Sequence, residues 1–494
     1  MSNSPVKTTE SVDNNQVDLD INANEGVDQT NLLKRTIESV DTDLKDQDIS
    51  KDTVDTKHIK IDTEDSQKPT TLSEAATFPM DETLAQDEQL QKPAKDKKPK
   101  RKVALLLGYC GTGYQGMQIN RDAKTIELEL LNALSQSGGI SKDNSTDLKK
   151  VGFQRAARTD KGVHAAGQVA SLKMIIEDPD IIEKTNVFLP DQIRLWGYVR
   201  TPGSFNAKNS CDSRVYEYLL PTFVFSQTEK EKKLYQERKS KSVGEERWFA
   251  PSTAEELADK RKYRIDDELL QKVRQALKEY EGTFDYMNFT VTKGCNEKNS
   301  KRYIHYFEAS DPFIKDGIEW VSLKVKGQSF MLHQIRKMVG LIILIMRTNT
   351  PFAVIKNIFK SPRINVPKAP SLGLLLEQPM FDAHNRFIKS QGKKIQYNDP
   401  ITFEPYKEVI DAFKMKYIYS EIFNTELNDS VFDRWVGWCE VFPEQYSYLN
   451  ETGDIPESAH ITSTRSKEIS ECISKLAVEC RDLSTGGYNP ESDK

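Results

Sequence analysis

Residues 152–171 combine side chains that could do nucleophilic or acid–base chemistry. Arg158 and Asp160 stand two residues apart in the stretch GFQRAARTDKGVHAAGQVAS, and Gly162 and Gly167 follow them. Glycine permits a tight backbone on that side of the pair. A carboxylate beside a guanidinium at a strand-to-loop junction is typical of functional groups carried on loops. A purely structural Arg–Asp pair shows the same pattern, so the residue types alone leave both interpretations open.

Three further side chains could take part in such chemistry. Arg336 stands among apolar residues in a helical pattern, where an arginine is either paired with an acid or extends to the surface. His164 and His333 also stand beside apolar residues. Histidines in that setting are more often structural, so we expect neither to be catalytic.

The elements that must position these groups alternate between strands and helices in two similar halves. Apolar runs and alternating patterns predict strands over residues 103–109, 151–157, 168–175, 214–220, 303–308 and 319–325. Helical periodicity predicts a helix capped by Thr125, with Leu128 on its buried side, and helices over 269–280, 330–347, 409–423 and 431–449. Residues 227–264 form a charged insertion between the strands of the second half.

The composition excludes several classes of protein. The chain has 494 residues, is 37% hydrophobic and has a mean hydropathy of −0.63. Its longest apolar run, 338–346, is too short to cross a bilayer, and the residues after Met1 lack the apolar core of a signal peptide. The six cysteines are widely spaced without a CxxC pair, which indicates a reducing compartment and no zinc-ribbon pattern.

Charge is distributed unevenly along the chain. Residues 1–91 carry 8 Lys and Arg against 21 Asp and Glu, whereas residues 92–450 have a net charge of +12. A basic body indicates a polyanionic partner, with a well-solvated surface as the alternative. The acidic segment has too little apolar surface to fold. It ends in KPAKDKKPKRK at 92–102, which predicts either a nuclear import signal or a basic collar that contacts nucleic acid.

Five blocks of sequence, in order, resemble one family of enzymes. They are GYCGTGYQGMQIN at 108–120, RTDKGVHA at 158–165, FNAKNSCDSRVYEY at 205–218, FMLHQIRKMVG at 330–340 and APSLGLLL at 369–376. Together they resemble the tRNA pseudouridine synthase family typified by the bacterial A-type enzyme, over about residues 100–380. The Gly-Met-Gln of the first block, the charged insertion and the added C-terminal helices resemble the eukaryotic branch.

The resemblance implies a fold and a set of site residues. The fold would be α/β (α+β), with two ferredoxin-like halves forming one mixed, mostly antiparallel sheet, outer helices and a central cleft. Asp160 would be the catalytic carboxylate, with Arg336 as its cationic partner. Arg158 would fill the space left by a flipped base, Tyr216 would stack on that base, and Leu374 would form the apolar wall of the pocket.

The resemblance also implies partners and an organisation of the chain. The substrate would be tRNA, and other structured RNAs such as snRNA or mRNA are further candidates. No cofactor is required, while the eukaryotic branch leaves bound zinc open without ligands that can be named. We expect a nuclear monomer that uses the import machinery and does not bind membranes. The expected segments are an acidic tail (1–102), the half carrying Asp160 (103–213), the second half (214–390), a helical extension (391–450) and a loose tail (451–494).

A second hypothesis from a different class is a non-catalytic RNA-binding or RNA-folding module on the same fold. A module that only binds RNA does not need a carboxylate facing a polyanion, so the Asp160, Arg336 and Tyr216 set favours the enzyme.

Overall fold

The structure is a computed structural model that describes residues 98–120, 123–144, 148–241, 249, 251–291, 300–392 and 399–461. The predicted acidic tail, most of the basic segment 92–102 and most of the C-terminal tail lie outside these residues. Within the described ranges, every helix is too short or too polar to cross a membrane.

Ten strands of the described residues form one mixed sheet. They are β1 (Arg101–Tyr109), β2 (Gln154–Arg155), β3 (His164–Met174), β4 (Ile193–Arg200), β5 (Ser213–Pro221), β6 (Gly282–Asp285), β7 (Lys301–Ala309), β8 (Phe313–Lys315), β9 (Ile318–Gly327) and β10 (Leu374–Met380). The main path runs β4-β1-β3-β10-β5-β9-β7-β6, with β2 beside β3 and β8 beside β9.

One strand joins the two halves of this sheet. β10 pairs in parallel with β3, at Leu375 opposite His164 and Leu376 opposite Ala165. Its other edge pairs antiparallel with β5, and the remaining pairings between described strands are also antiparallel. The predicted α/β class with one mostly antiparallel sheet is therefore confirmed.

The helices cover the faces and ends of the sheet. They are α1 (Ile126–Gln136), α2 (Leu148–Val151), α3 (Ile181–Phe188), α4 (Glu229–Ser240), α5 (Ala254–Lys262), α6 (Asp267–Lys278), α7 (Gln334–Thr348), α8 (Ala353–Lys360), α9 (Asp382–Gln391), α10 (Lys407–Phe413), α11 (Ser420–Asp429) and α12 (Val431–Cys439). A π-helical segment, Lys414–Tyr419, connects α10 to α11. Short 3-10 turns lie at Lys142–Asn144, Thr222–Phe225, Met287–Phe289, Glu404–Tyr406, Pro443–Tyr446 and Glu457–Ala459.

Local sequence explains why these elements begin where they do. Residues 103–107 of β1 are fully buried, because β1 lies between β3 and β4 and both of its faces are covered. The sequence of a strand that is buried on both faces is a continuous apolar run. In the charged insertion, α4 and α5 each begin with a capping box, at Thr228 with Glu231 and at Thr253 with Glu256.

Four local predictions were wrong. The helix expected over 431–449 ends at Cys439, because Pro443 begins a separate 3-10 turn, Pro443–Tyr446. The strand expected over 151–157 shrinks to Gln154–Arg155, because residues 148–151 form α2. The long helix begins at Gln334 and not at 330, because the backbone of His333 is left-handed with φ 62°. Leu128 is 42% exposed, since a helix with 3.6 residues per turn cannot bury both 126 and 128 together with 130, 131 and 134.

The residues after 400 cover the face of the sheet in the first half. A Cβ atom on Gly167 of β3 would lie 3.1 Å from the Phe403 ring. A Cβ atom on Gly197 of β4 would lie 2.1 Å from the Tyr406 hydroxyl. Phe413 packs edge-on against Trp196 at 5.2 Å. Only glycine leaves room for these rings.

A buried ionic cluster fixes the same extension to the second half. Lys414, in the π-helical segment, lies 3.1 Å from Glu217 of β5 and 2.7 Å from Glu377 of β10. Glu217 also accepts hydrogen bonds from Tyr419 at 2.8 Å and from Ser322. Burial alone would lower the pKa of Lys414, but the two carboxylates outweigh it and raise that pKa. The cluster therefore works as a charged unit in which each ion depends on the others.

Substitution of Lys414 by methionine tests this dependence. The change leaves Glu217 buried with hydroxyl donors alone, and breaking a buried pair costs about 3–5 kcal/mol. We expect a drop of that size in the free energy of unfolding, measured by urea denaturation. Lys407→Met, which breaks only the exposed pair with Asp411, is the matched control and should leave stability nearly unchanged. Equal effects of the two substitutions would contradict the interpretation.

Candidate active site

The loop that carries Asp160 lies between β2 and β3, at the end of the sheet near β10. Thr159 is buried, and its hydroxyl shares a 2.9 Å hydrogen bond with the hydroxyl of Tyr109 at the end of β1. The carbonyl of Thr159 accepts from the N–H of Met117 at 3.2 Å, and the N–H of Val163 donates to the carbonyl of Asp160 at 3.1 Å. The backbone on both sides of Asp160 is therefore fixed by hydrogen bonds.

A glycine-rich turn packs directly against this loop. A Cβ on Gly116, where φ is 93°, would lie 2.6 Å from the carbonyl oxygen of Thr159 and 3.2 Å from the carbonyl carbon of Asp160. A Cβ on Gly111 would lie 2.2 Å from the carbonyl oxygen of Val163. Glycine at these two positions is what lets the first block of motif residues support the aspartate.

His164 completes the support as a neutral acceptor. Its Nδ1 accepts from the N–H of Gly111 at 3.1 Å, and burial lowers its pKa to about 4. The imidazole is therefore uncharged at neutral pH, in agreement with the structural role expected from the sequence.

The carboxylate of Asp160 faces the N-terminal end of α7. Its side chain is 29% exposed, and its Oδ2 lies 3.5 Å from Nε2 of His333, whose side chain is 7% exposed. Burial and the positive charges of Lys368, Arg336 and Lys337 lower the pKa of His333 to about 2. A neutral imidazole, on which three cations act, therefore lies beside Asp160.

Arg336 is buried one helical turn beyond His333. Its Nε donates to the carbonyl of Ala369 at 2.7 Å, and the N–H of Ala369 donates back to the carbonyl of Arg336 at 3.1 Å. The predicted cation is therefore held against the segment that leads into β10, and it acts electrostatically on the histidine that touches Asp160.

Tyr216 lies on β5, where its ring is buried and packs edge-on against Phe330 at 5.2 Å. Burial raises the pKa of its phenol, Arg214 opposes the rise, and the charge of Asp160 adds to it. The charge of Asp160 therefore acts on the phenol of Tyr216.

Leu374 begins β10 and is buried. It stands opposite Tyr218 in the pairing with β5, two residues before Leu376, which stands opposite Tyr216. Residues opposite each other, and those two apart, share one face of a sheet, so Leu374 lies on the face of Tyr216. Arg158 is exposed in the loop two residues before Asp160.

Two residues of this site escaped the sequence analysis. His333 was expected to be structural, yet it is the side chain in contact with Asp160. Arg214 of β5 donates from Nη2 to the carbonyl of Ala156 at 2.7 Å, which ties the second half to the loop of the first. The sequence signal for His333 was its position three residues before a buried arginine. No sequence signal pointed to Arg214.

The resemblance to the eukaryotic branch left it open whether zinc is bound. The described residues do not fit a zinc ion. Among them, no group of three or more His, Cys, Asp and Glu side chains stands close enough together to hold a metal ion.

Comparison with known proteins agrees with the class that the motifs resemble. A family model described as tRNA pseudouridine synthase matches residues 276–382, which run from α6 to the start of α9. That stretch includes Arg336 and Leu374 of the site.

Full-length relatives extend the match over the rest of the body. The tRNA pseudouridine synthase 1 of Kluyveromyces lactis is 42% identical over 410 residues, which cover 73% of this chain and 73% of the relative. The protein of the same name from Saccharomyces cerevisiae is 38% identical, covering 71% and 73%. A mouse protein, pseudouridylate synthase 1 homolog, is 41% identical over 343 residues, covering 69% and 74%. The chain belongs to the tRNA pseudouridine synthase family and is an isomerase.

Substitutions of Tyr216 separate stacking from other roles of its side chain. Phenylalanine keeps the aromatic face, so Tyr216→Phe should react within about threefold of the parent chain. Tyr216→Leu removes the face, and base–aromatic stacking of about 1–3 kcal/mol corresponds to a loss of about 5- to 150-fold. The measurement is tritium release from tRNA that carries 5-tritiated uridine. Equal rates for the two variants would contradict a stacking role.

Proposed function

We propose that Asp160 is the catalytic carboxylate with which this chain converts uridine to pseudouridine in tRNA. The contact between Asp160 and His333 at the N-terminal end of α7, together with the electrostatic effect of Asp160 on the buried Tyr216, is the observation that supports it most directly. Arg158, Tyr216, Arg336 and Leu374 bind the target uridine in this proposal.

The reaction needs little besides a carboxylate. The bond between N1 of uracil and C1′ of ribose breaks, the base turns, and a bond forms between C5 and C1′. The proton of C5 is released to solvent and N1 takes up a proton, so the product is an isomer of the substrate. Asp160 acts as a nucleophile on the uracil ring or the ribose, or as a base at C2′. No redox change and no group donor is involved, so no cofactor is required.

Each of these routes needs the ionised form of Asp160. Burial in a cleft raises the pKa of a carboxyl group, and nearby cations lower it. Arg336, Lys337 and Lys368 act electrostatically on the histidine in contact with Asp160, and the Asp160 side chain keeps 29% of its surface in solvent.

A uridine stacked in an RNA helix must leave the helix to reach Asp160. Extrusion costs a few kcal/mol, and stacking on an aromatic face returns about 1–3 kcal/mol. Tyr216 supplies the face, the exposed Arg158 fills the space left in the RNA, and Leu374 forms the apolar wall.

Phosphate contacts would supply most of the affinity for RNA, so binding should weaken as salt rises. Lys149 and Lys150 are exposed in the first half. Within the insertion, Lys230 pairs with Glu256 and Lys232 with Glu229, so part of its positive charge is already neutralised. The basic residues outside the insertion are therefore the better candidates for phosphate contacts.

Replacing the carboxylate tests the proposal. Asp160→Asn and Asp160→Ala should release tritium from 5-tritiated uridine in tRNA more than about 1,000-fold more slowly than the parent chain, because the nucleophile or base is gone. Both variants should still bind tRNA in a filter-binding assay.

Asp311→Asn is the matched control, because Asp311 is an exposed aspartate whose partner is Arg274 on α6, and it should react like the parent. Tritium release by Asp160→Asn within tenfold of the parent rate would overturn the role of Asp160. A parent chain that binds tRNA and releases no tritium would support the RNA-binding module instead.

We further infer that the chain works in the nucleus; action on several tRNA positions and on other structured RNAs, including mRNA, stays an expectation from the family resemblance. The support is the basic segment 92–102, which carries seven Lys and Arg in eleven residues. Its last residue, Lys102, lies in β1 and donates from Nζ to the carbonyl of Gly152, so we assign the import function to the residues before it.

Import can be tested by removing these charges. A fluorescent fusion with Lys95, Lys97, Lys98 and Lys100 changed to alanine should spread into the cytoplasm, because an import receptor reads clustered positive charge. Lys149→Ala with Lys150→Ala changes two exposed lysines elsewhere and should leave the fusion nuclear. An even distribution of the parent fusion between the two compartments would contradict the inference.

The extension after residue 400 also supports a monomer. It covers the face of the first half with Phe403, Tyr406 and Phe413, which leaves that face closed to a second copy.

A further inference from the structure

Four non-glycine residues in the described part of the chain have a left-handed backbone: Asp316, His333, Asn349 and Ser430. Asp316 lies in the hairpin between β8 and β9, Asn349 ends α7, and Ser430 separates α11 from α12. Turns and helix ends of this kind often adopt such a conformation. His333 lies in a turn as well, directly before α7 with φ 62° and ψ 6°, and it has the largest side chain of the four.

A left-handed conformation is strained for any residue other than glycine, although histidine adopts it more often than most. Such strain persists only where the surroundings impose it, and it clusters at sites where a side chain must be aimed. At His333 the backbone points the imidazole at Asp160, with 3.5 Å between Nε2 and Oδ2. The strained residue and the proposed catalytic residue are thus in direct contact.

The protonation of the imidazole follows from its surroundings. Nδ1 is buried and has no hydrogen-bond partner among the described residues, and Nε2 faces a carboxylate, which only accepts. The groups that face the ring are Asp160 from the loop before β3, Arg336 and Lys337 from α7, and Lys368 from the segment before β10. The three cations and burial keep the ring neutral, so its single proton lies on Nε2.

We propose that His333 is a positioning residue for Asp160: its neutral imidazole donates from Nε2 to Oδ2 of Asp160 and so fixes the orientation of the carboxylate. The inference rests on the proposed function of Asp160. At 3.5 Å the contact is longer than a typical N–H···O bond, and bonds of this kind at catalytic sites often shorten when the substrate binds. A neutral donor orients the carboxylate without cancelling its charge.

Two substitutions of His333 distinguish this role from a structural one. The side-chain N–H of glutamine reaches about as far from Cβ as Nε2 of histidine, whereas that of asparagine reaches only as far as Nδ1. Asparagine, however, accepts a left-handed backbone better than glutamine does. His333→Gln should therefore keep most of the activity and His333→Asn should lose it, although the second variant suits the backbone better.

The expected loss of rate follows from the loss of one hydrogen bond to a charged group, which slows the reaction by about 10- to 100-fold. His333→Asn should show this loss in the single-turnover rate of tritium release, with unchanged tRNA affinity and a melting temperature equal to that of the parent or higher. His333→Gln should stay within about threefold of the parent rate.

Asn349→Gly is the control for the backbone, because it relieves the left-handed residue at the other end of α7, which is exposed and away from the site. It should leave the rate unchanged. The pH dependence of the rate between pH 6 and pH 8 should be the same for the parent and His333→Gln, since the imidazole stays neutral in that range.

Three results would overturn the inference. They are an equal loss of rate in the glutamine and asparagine variants, parental rates in both, and a titration in the parent near the usual histidine pKa that disappears in His333→Gln. Failure of the underlying function is recognised separately, because it would leave the parent chain itself without tritium release or leave Asp160→Asn fully active.

Discussion

The site depends on a short parallel pairing between β3 and β10. Two residue pairs, Leu375 with His164 and Leu376 with Ala165, join the half that carries Asp160 to the half that carries Tyr216 and α7. Because β3 begins immediately after the Asp160 loop and β10 pairs on its other side with β5, the carboxylate and the phenol come to the same end of the sheet. Arg214 adds a second link, from β5 to the carbonyl of Ala156 in the loop of the first half. Without these links the two sets of groups would belong to separate half-sheets.

Electrostatics around this junction serve two opposite needs. A carboxylate in a cleft must stay ionised, which requires positive charge, yet a cation bonded directly to it would compete with the substrate for its oxygens. Arg336 and Lys337 of α7, together with Lys368 from the segment before β10, act electrostatically on a histidine that stays neutral and lies 3.5 Å from Asp160. Positive charge therefore acts on the carboxylate from nearby, while the histidine beside the carboxylate is itself neutral.

Much of this arrangement could be predicted from the sequence, and its limits have a physical reason. The apolar run of β1, the periodicity of α6 and the motif around Asp160 each reflect local environments, so the pattern of neighbouring residues was sufficient to find them. Pairings between distant residues leave no such trace. His164 and Leu375, or Lys414 and Glu217, meet only because the chain folds back on itself. The left-handed backbone of His333 was missed for a related reason, since the apolar residues at 330 and 332 continue a helical pattern that the backbone does not follow.

The π-helical segment between α10 and α11 has a consequence for how this chain can change in evolution. A π turn amounts to one residue too many for regular α-helical winding, and such turns occur mostly within otherwise regular helices. One extra residue is absorbed within such a turn, so the helices on either side keep their orientation, whereas the same insertion in a regular α-helix would turn everything beyond it by about 100° around the helix axis. Lys414 and Tyr419 are five residues apart in a segment whose hydrogen bonds join residues five apart, so they lie on one side and both reach Glu217. The chain can therefore change by one residue in length at this point while the faces of α10 and α11 that pack on the sheet keep their orientation.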